Sequence, residues 1–125
     1  MLIGIGLDLV ETARVERALA RFGERFVQKL MDPGESSALP PPGEARARAL
    51  ALAVAGKEAA SKALGTGWSQ GVRWRDVVVS IEPRPAVRLD GRAGEVARRL
   101  GSSGRGRLRL EVRGELALGE FWLLS

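Results

Sequence analysis

The sequence predicts one small domain, residues 1–125, that combines helices with strands. Two long stretches, about Thr12 to Leu30 and Glu44 to Leu64, carry the apolar periodicity of helices. Shorter runs rich in Val, Ile and Leu near the beginning, middle and end of the chain have the composition of strands. A chain of this length can bury about 65% of the surface that its unfolded form exposes, which is enough for one core.

The first half of the chain predicts a strand and two helices. Leu2 to Val10 is an apolar run with two glycines, which indicates a buried strand with a closely packed neighbour. An amphipathic helix follows from Thr12 to Leu30 and ends at the Asp32-Pro33-Gly34 turn. The proline-rich segment 40–43 then forms a stiff loop before the central helix, which runs from Glu44 to Leu64.

The second half predicts two pairs of strands around a short helix. Val77 to Ile81 and Ala86 to Leu89 are strands joined by a proline-containing turn. Gly91 to Leu100 has the pattern of a short helix. Leu108 to Arg113 and Glu115 to Leu124 alternate as a closing hairpin around one glycine.

Composition excludes several kinds of chemistry. The chain has no His, Cys or Tyr, so there is no thiolate nucleophile, Ser-His pair, disulfide or common zinc site. Acid and base chemistry is left to Asp, Glu and Lys. A metal held by carboxylates alone is expected to be Mg²⁺, which takes one or two carboxylates and completes its shell with phosphates and water.

The charge of the chain favours an acidic partner. A net charge of +5 suits a phosphorylated small molecule, an acidic protein or nucleic acid. The few aromatic residues form no evident platform for base stacking, which argues against nucleic acid. No stretch approaches the ~20 apolar residues of a membrane span and no signal peptide is evident, so we expect a cytoplasmic protein without a membrane partner.

The segment from Gly56 to Gly67 is the most informative motif. It holds two of the three lysines, Lys57 and Lys62, and a lysine ammonium can grip a phosphate or move a proton where arginine would not serve. Glu58 continues an apolar stripe at intervals of four and is expected to face inward, where a carboxylate needs a cation. The alternative is a solvated Glu58–Lys62 ion pair worth about 0.3 to 0.5 kcal/mol.

Asp8 and a row of arginines also have two interpretations each. Asp8 interrupts the first apolar run, so it is either a functional acid or the cap of the helix that follows. Four arginines at spacings of three and four form a basic stripe on the first helix, which is either a docking surface or a solvated face. They are Arg14, Arg17, Arg21 and Arg25.

The motifs together resemble a known family. Ile3-Gly4-Ile5-Gly6-Leu7-Asp8-Leu9, Glu35 after a Pro-Gly turn, and Gly56-Lys57-Glu58-Ala59-x-x-Lys62-Ala63-x-Gly65-x-Gly67 are similar to the holo-(acyl carrier protein) synthases. These are small bacterial 4′-phosphopantetheinyl transferases, and the similarity covers nearly the whole chain. The resemblance implies an α+β fold in which a long helix wraps an antiparallel sheet. It also implies a homotrimer with active sites between subunits.

The resemblance implies a reaction and the residues that perform it. Phosphopantetheine would pass from coenzyme A to a serine of apo acyl carrier protein, with Mg²⁺ bound and adenosine 3′,5′-bisphosphate released, in fatty acid biosynthesis. Asp8 and Glu58 would hold the metal, and Glu58 would be the general base beside Lys62. The expected catalytic residues are thus Asp8, Glu58 and Lys62. The expected coenzyme A contacts are Ser61, Lys62 and Gly65, and the arginine stripe would dock the carrier protein.

The sequence also departs from this family. The family usually has a Ser-x-Ser-His stretch where this chain has Arg109-Leu110-Glu111-Val112, and an arginine where this chain has Ala53. Whether Arg105, Arg107 or Arg109 replaces the lost contacts is left open. The alternatives are a non-catalytic protein of the same fold that binds coenzyme A or carrier protein, and a basic RNA-associated protein.

Overall fold

The structure is a computed structural model that describes residues 1–125. The helices are α1 (Thr12–Phe22), α2 (Glu24–Leu30), α3 (Pro33–Ser37), α4 (Glu44–Leu64) and α5 (Gly91–Arg99). The strands are β1 (Leu2–Glu11), β2 (Val77–Ser80), β3 (Ala86–Leu89), β4 (Gly106–Arg113) and β5 (Leu116–Leu124). A single 3₁₀ turn, Trp74–Asp76, precedes β2.

The strands form two antiparallel sheets. The larger sheet has the order β1-β5-β4, so the last strand lies at its centre, and the smaller one pairs β2 with β3. The long helix α4 packs across β1 and β5. This arrangement confirms the expected α+β class, with an antiparallel sheet against one long helix. None of the helices has the length and apolar character needed to cross a membrane.

Glycines in the strands allow α4 to lie close to the sheet. A Cβ atom on Gly6 would collide with the backbone of Ala59, and one on Gly119 would collide with that of Ala55. Asp8 pairs with Gly119 across the two strands. The strand glycines therefore fix the distance between the first acid of the motif and the helix that carries the second.

The prediction of one helix from Thr12 to Leu30 is wrong. Gly23 has φ 61° and ψ −141°, a conformation that ends α1 and starts α2 in a new direction. The break divides the arginine stripe, because Arg25 lies on α2 while the other three arginines lie on α1. Apolar periodicity continues through the glycine and therefore does not reveal the break.

The segment after α2 is also more ordered than the predicted turn. Asp32 and Glu35 form a reciprocal capping box that starts α3, in which each side chain accepts a hydrogen bond from the other's backbone N–H. This short helix holds the buried Glu35 beneath α4. The central helix has the predicted bounds, while β2 ends at Ser80, one residue earlier than expected.

Candidate active site

The predicted catalytic residues line one groove between β1, α1 and α4. Asp8 comes from the strand, and Glu58 and Lys62 come from successive turns of the helix. The groove has a volume of about 470 Å³, and Arg14 lies at its edge. Its walls are largely apolar, with Val15, Phe26, Leu30, Val54 and Trp74 among the lining residues.

Lys62 pairs with Asp8. The Lys62 Nζ atom donates to Asp8 Oδ1 at 2.8 Å and to the Leu7 carbonyl oxygen at 3.1 Å. The lysine side chain is 50% exposed and the Asp8 side chain only 19%. The alternative of a solvated Glu58–Lys62 ion pair is therefore wrong, because the ammonium reaches across to the strand.

Asp8 does not cap the following helix. The residue at the N-cap of α1 is Glu11, and it makes no side-chain capping bond. Asp8 lies inside β1, and its second oxygen, Oδ2, has no hydrogen-bond partner in the chain. The capping alternative is wrong, and one carboxylate oxygen is left for a ligand.

Glu58 is half-buried beside Asp8. Burial raises the pKa of Glu58; the Trp68 indole and the Lys62 ammonium oppose this rise, and the negative charge of Asp8 adds to it. The helix stripe thus turns Glu58 partly inward, as the sequence predicted, but the residue still opens on the groove. Its carboxylate forms no hydrogen bond or ion pair with the rest of the chain.

The carboxylates of Asp8 and Glu58 suit a hard cation. Both line the same groove, and each has an oxygen without a protein partner. No group of three or more acidic residues in the chain is placed so that it could hold a metal ion. Two carboxylates without a third fit Mg²⁺ that completes its shell with substrate phosphates and water, and they fit a fully protein-bound cation poorly.

The suggestion that a lysine ammonium of this motif grips a phosphate or moves a proton does not hold for Lys57. The Lys57 side chain is 0% exposed, and its Nζ lies 2.9 Å from Glu35 Oε2. Lys57 also donates to the carbonyl oxygens of Trp74 and Val77, and Glu35 accepts the Val79 N–H at 2.8 Å. Burial lowers the pKa of Lys57 against the opposing pull of Glu35. This lysine joins α3, α4 and β2 and cannot reach a phosphate in the groove.

Ser61 and Gly65 lie where α4 ends. The Ser61 side chain is buried, and its hydroxyl donates to the Glu58 carbonyl oxygen at 2.8 Å. Donation from this hydroxyl to a phosphate of coenzyme A would require that bond to open. Gly65 is exposed with φ 79°, the left-handed conformation that ends the helix. Contact of either residue with coenzyme A stays a prediction.

Two tryptophans lie beside the site and have no evident role in the sequence pattern alone. Trp68 and Trp74 stack with ring centroids 3.9 Å apart and an angle of 20° between planes. Trp74 lines the groove, and the Trp68 Nε1 atom is buried without a hydrogen-bond partner. In the sequence, the feature that could have indicated a role is the position of Trp68, directly after the Gly65-Thr66-Gly67 turn that follows α4.

The arginines of the predicted docking stripe are all exposed. None of the four forms an ion pair with another side chain of the chain. Arg14 borders the groove, and the Arg21 guanidinium lies 5.1 Å from the centroid of the exposed Phe22 ring. By contrast, Arg109 on β4 is paired with Glu111 at 2.7 Å. The surface beside the groove therefore carries arginines that form no ion pair within the chain.

Comparison with known proteins gives a consistent result. Residues 4–113 match the 4′-phosphopantetheinyl transferase superfamily. The chain is 45% identical over 106 residues to the holo-[acyl-carrier-protein] synthase of Alkalilimnicola ehrlichii, covering 83% of each protein. It is 50% identical over 105 residues to that of Halorhodospira halophila, covering 82% of each.

Two crystal structures of such synthases share the fold. The Neisseria meningitidis protein is similar with a TM-score of 0.86 and 28% identity over 100% of both chains. The Bacillus anthracis protein, solved in complex with CoA (3′,5′-ADP), is similar with a TM-score of 0.79 and 25% identity. That likeness covers 98% of this chain and 96% of the other.

Proposed function

The chain belongs to the holo-[acyl-carrier-protein] synthases of the 4′-phosphopantetheinyl transferase superfamily, and we propose that it transfers phosphopantetheine with the groove at Asp8, Glu58 and Lys62. The donor is coenzyme A and the acceptor is a serine of apo acyl carrier protein. Adenosine 3′,5′-bisphosphate leaves. The observation that carries the proposal is the convergence of two carboxylates and one ammonium in a single half-buried groove.

Each side chain has a role that follows from its position. The serine hydroxyl attacks the β-phosphorus of coenzyme A, a new O–P bond forms, and the bond to the bridging oxygen breaks with its electrons going to the leaving phosphate. Glu58 accepts the serine proton, directly or through a water, because it is the half-buried carboxylate with a raised pKa. Lys62 stabilises negative charge on the diphosphate from the Asp8 side.

Asp8 and Glu58 would also hold Mg²⁺. The chemistry that a bound Mg²⁺ supplies here is neutralisation of the diphosphate charge. Asp8 would offer Oδ2, because its Oδ1 already accepts a hydrogen bond from Lys62. Ser61 would keep the Glu58 turn of α4 in place, and Gly65 would let the chain turn away beside the nucleotide.

The arginine surface would dock the carrier protein. Arg14 belongs both to this surface and to the edge of the groove, so an acidic protein bound along α1 would bring its serine towards the catalytic side chains. Arg17, Arg21 and Arg25 would extend the contact, although the break at Gly23 places Arg25 on a separate helix. Exposed unpaired charges of this kind steer an acidic partner and set its register.

The outer face of the larger sheet supports a homotrimer with active sites between subunits. Ile5, Leu7 and Leu9 alternate outward along β1 and are all more than half exposed, and Trp122 faces outward opposite Ile5. Exposed apolar side chains gathered along one strand are typical of an interaction surface, although Glu120 lies opposite Leu7 on the same face. The number of subunits comes from the family resemblance. Light scattering tests it, with Leu7→Lys expected to release monomers, and a monomeric parent at micromolar concentration would contradict it.

One assay tests the reaction. The protein is incubated with coenzyme A, Mg²⁺ and an apo acyl carrier protein, and the carrier is weighed by mass spectrometry. We expect a mass increase of one phosphopantetheine group and none with Asp8→Asn. Binding of coenzyme A without transfer at saturating concentration would favour the alternative, a non-catalytic binding protein. If Val112→His on β4 then restored transfer, the missing family histidine would be chemically necessary.

A further inference from the structure

The indole N–H of Trp68 is an exception in this fold. It is the one buried side-chain nitrogen or oxygen in the chain that has no hydrogen-bond partner. Most buried polar groups in folded proteins are paired, and an unpaired one costs about 1–3 kcal/mol. The indole nitrogen can only donate, so its missing partner must be an acceptor.

Trp68 is held in this position from two sides. The loop after α4 folds back so that the Gly67 N–H donates to the Ser61 carbonyl oxygen at 3.1 Å, directly before the tryptophan. On the other side, the Trp68 ring stacks on Trp74, whose carbonyl oxygen accepts a hydrogen bond from the buried Lys57 at 3.0 Å. The stack and the folded-back loop therefore hold the Trp68 ring in this position.

An unpaired acceptor lies beside the unpaired donor. The Glu58 carboxylate has no hydrogen bond within the chain, yet the Trp68 indole is close enough to oppose the rise of its pKa. The N–H thus lies near the carboxylate without making a well-formed hydrogen bond to it.

We propose that the Trp68 N–H donates to one oxygen of the Glu58 carboxylate when substrates fill the groove, and so turns the other oxygen towards the reacting groups. This inference rests on the proposed transferase function of the groove. Trp68 is then a positioning residue, because it acts on the substrates only through Glu58. Its rigid stack would leave the carboxylate one preferred orientation in place of several.

Loss of the donor should reduce turnover more than binding. Partners that orient a ligating carboxylate are worth about 10- to 100-fold in activity or metal affinity when removed. We therefore expect Trp68→Phe, which keeps an aromatic ring but no donor, to lower kcat about 10-fold. The Mg²⁺ concentration for half-maximal rate should rise several-fold, while KM for coenzyme A should change less than twofold.

Trp74→Phe is the matched control. This change makes the other ring of the stack smaller but keeps the Trp68 N–H. The two variants should lose similar thermal stability, and Trp68→Phe should lose distinctly more kcat. Equal losses of kcat in both variants would mean that the stack alone matters and would overturn the proposal.

A second readout does not depend on activity. In the ¹⁵N-labelled protein the indole N–H signals of Trp68, Trp74 and Trp122 can be assigned from Trp→Phe variants. The Trp68 signal should shift between the parent and Glu58→Ala, and should move downfield when coenzyme A and Mg²⁺ are added to the parent. The Trp122 signal, on the outer sheet face, should not move in Glu58→Ala. A Trp68 signal that stays in place in both experiments overturns the proposal, whereas absence of transfer by the parent contradicts only the proposed function.

Discussion

The buried pair of Lys57 and Glu35 makes a strong prediction about stability. Lys57→Met keeps the length and apolar stem of the side chain but removes the ammonium, and it leaves the Glu35 carboxylate buried at 2% exposure without its cation. Removal of one partner of a buried ion pair typically costs about 3–5 kcal/mol. The variant also strips a donor from two carbonyl oxygens, those of Trp74 and Val77, which favours the upper end of that range.

The expected change is large relative to the whole stability of such a chain. Domains are stable by about 5–15 kcal/mol, so Lys57→Met should lose a third or more of the total. Urea unfolding measured by far-ultraviolet circular dichroism gives the free energy of unfolding directly. Glu35→Gln should lose a comparable amount, and the double variant should lose less than the sum of the two because each change removes the same interaction.

Lys62→Met is the matched control on the same helix. Its ammonium is half exposed and pairs with Asp8 at the surface of the groove, so its removal should cost less than about 1 kcal/mol. It should nevertheless abolish most of the transferase activity. If the free energy of unfolding of Lys57→Met lies within about 1 kcal/mol of that of the parent, the buried pair does not hold α3, α4 and β2 together. That result would contradict the structural role given to this lysine.

Three further predictions follow from the same geometry. Asp8→Asn should fold normally but lose Mg²⁺-dependent transfer, and an unchanged Mg²⁺ titration would refute a metal site shared with Glu58. Because burial raises the pKa of Glu58 above its ordinary value of 4.5, the folded chain binds that proton more readily than the unfolded chain, so this acid contributes less stability as pH rises. Glu58→Gln should therefore be more stable than the parent near pH 7 without metal. The difference in thermal stability should shrink as the pH falls to 4.5, and a variant that is less stable than the parent at pH 7 would contradict this. Arg17→Glu with Arg21→Glu should weaken carrier binding, and added salt should weaken it in the parent, with coenzyme A affinity nearly constant by calorimetry. Equal losses for both ligands would point to misfolding.

The sequence predicts the central helix well because its ends have local causes. A glycine stands at each end, Gly43 before the first turn and Gly65 in the left-handed conformation after the last. The closing hairpin is similarly local, since Gly114 has the positive φ of its turn. The break at Gly23 has the same kind of local mark, a glycine with φ 61°, but the apolar spacing of the first helix continues across it and favours one unbroken helix.

In the candidate site, too, the sequence predicts features with a local cause and misses contacts between distant parts of the chain. Periodicity along α4 indicates that Glu58 turns partly inward, but it cannot say that Lys62 reaches Asp8, because that contact spans 54 residues of chain. It also cannot separate Lys57 from Lys62, because burial of a lysine depends on an acid supplied from elsewhere. Glu35 supplies it, and the only hint in the sequence was the family resemblance.

The two adjacent residues of the motif, Lys57 and Glu58, point in different directions because successive helix positions are about 100° apart. Lys57 faces inward and fixes the rotation of α4 against α3 and β2 through four polar atoms. With the helix fixed, Glu58 can face only the groove and Trp68. The same ammonium holds the Trp74 backbone on which the Trp68 ring stacks. The buried cation therefore positions both the carboxylate and the N–H that we propose to orient it, although it touches no substrate.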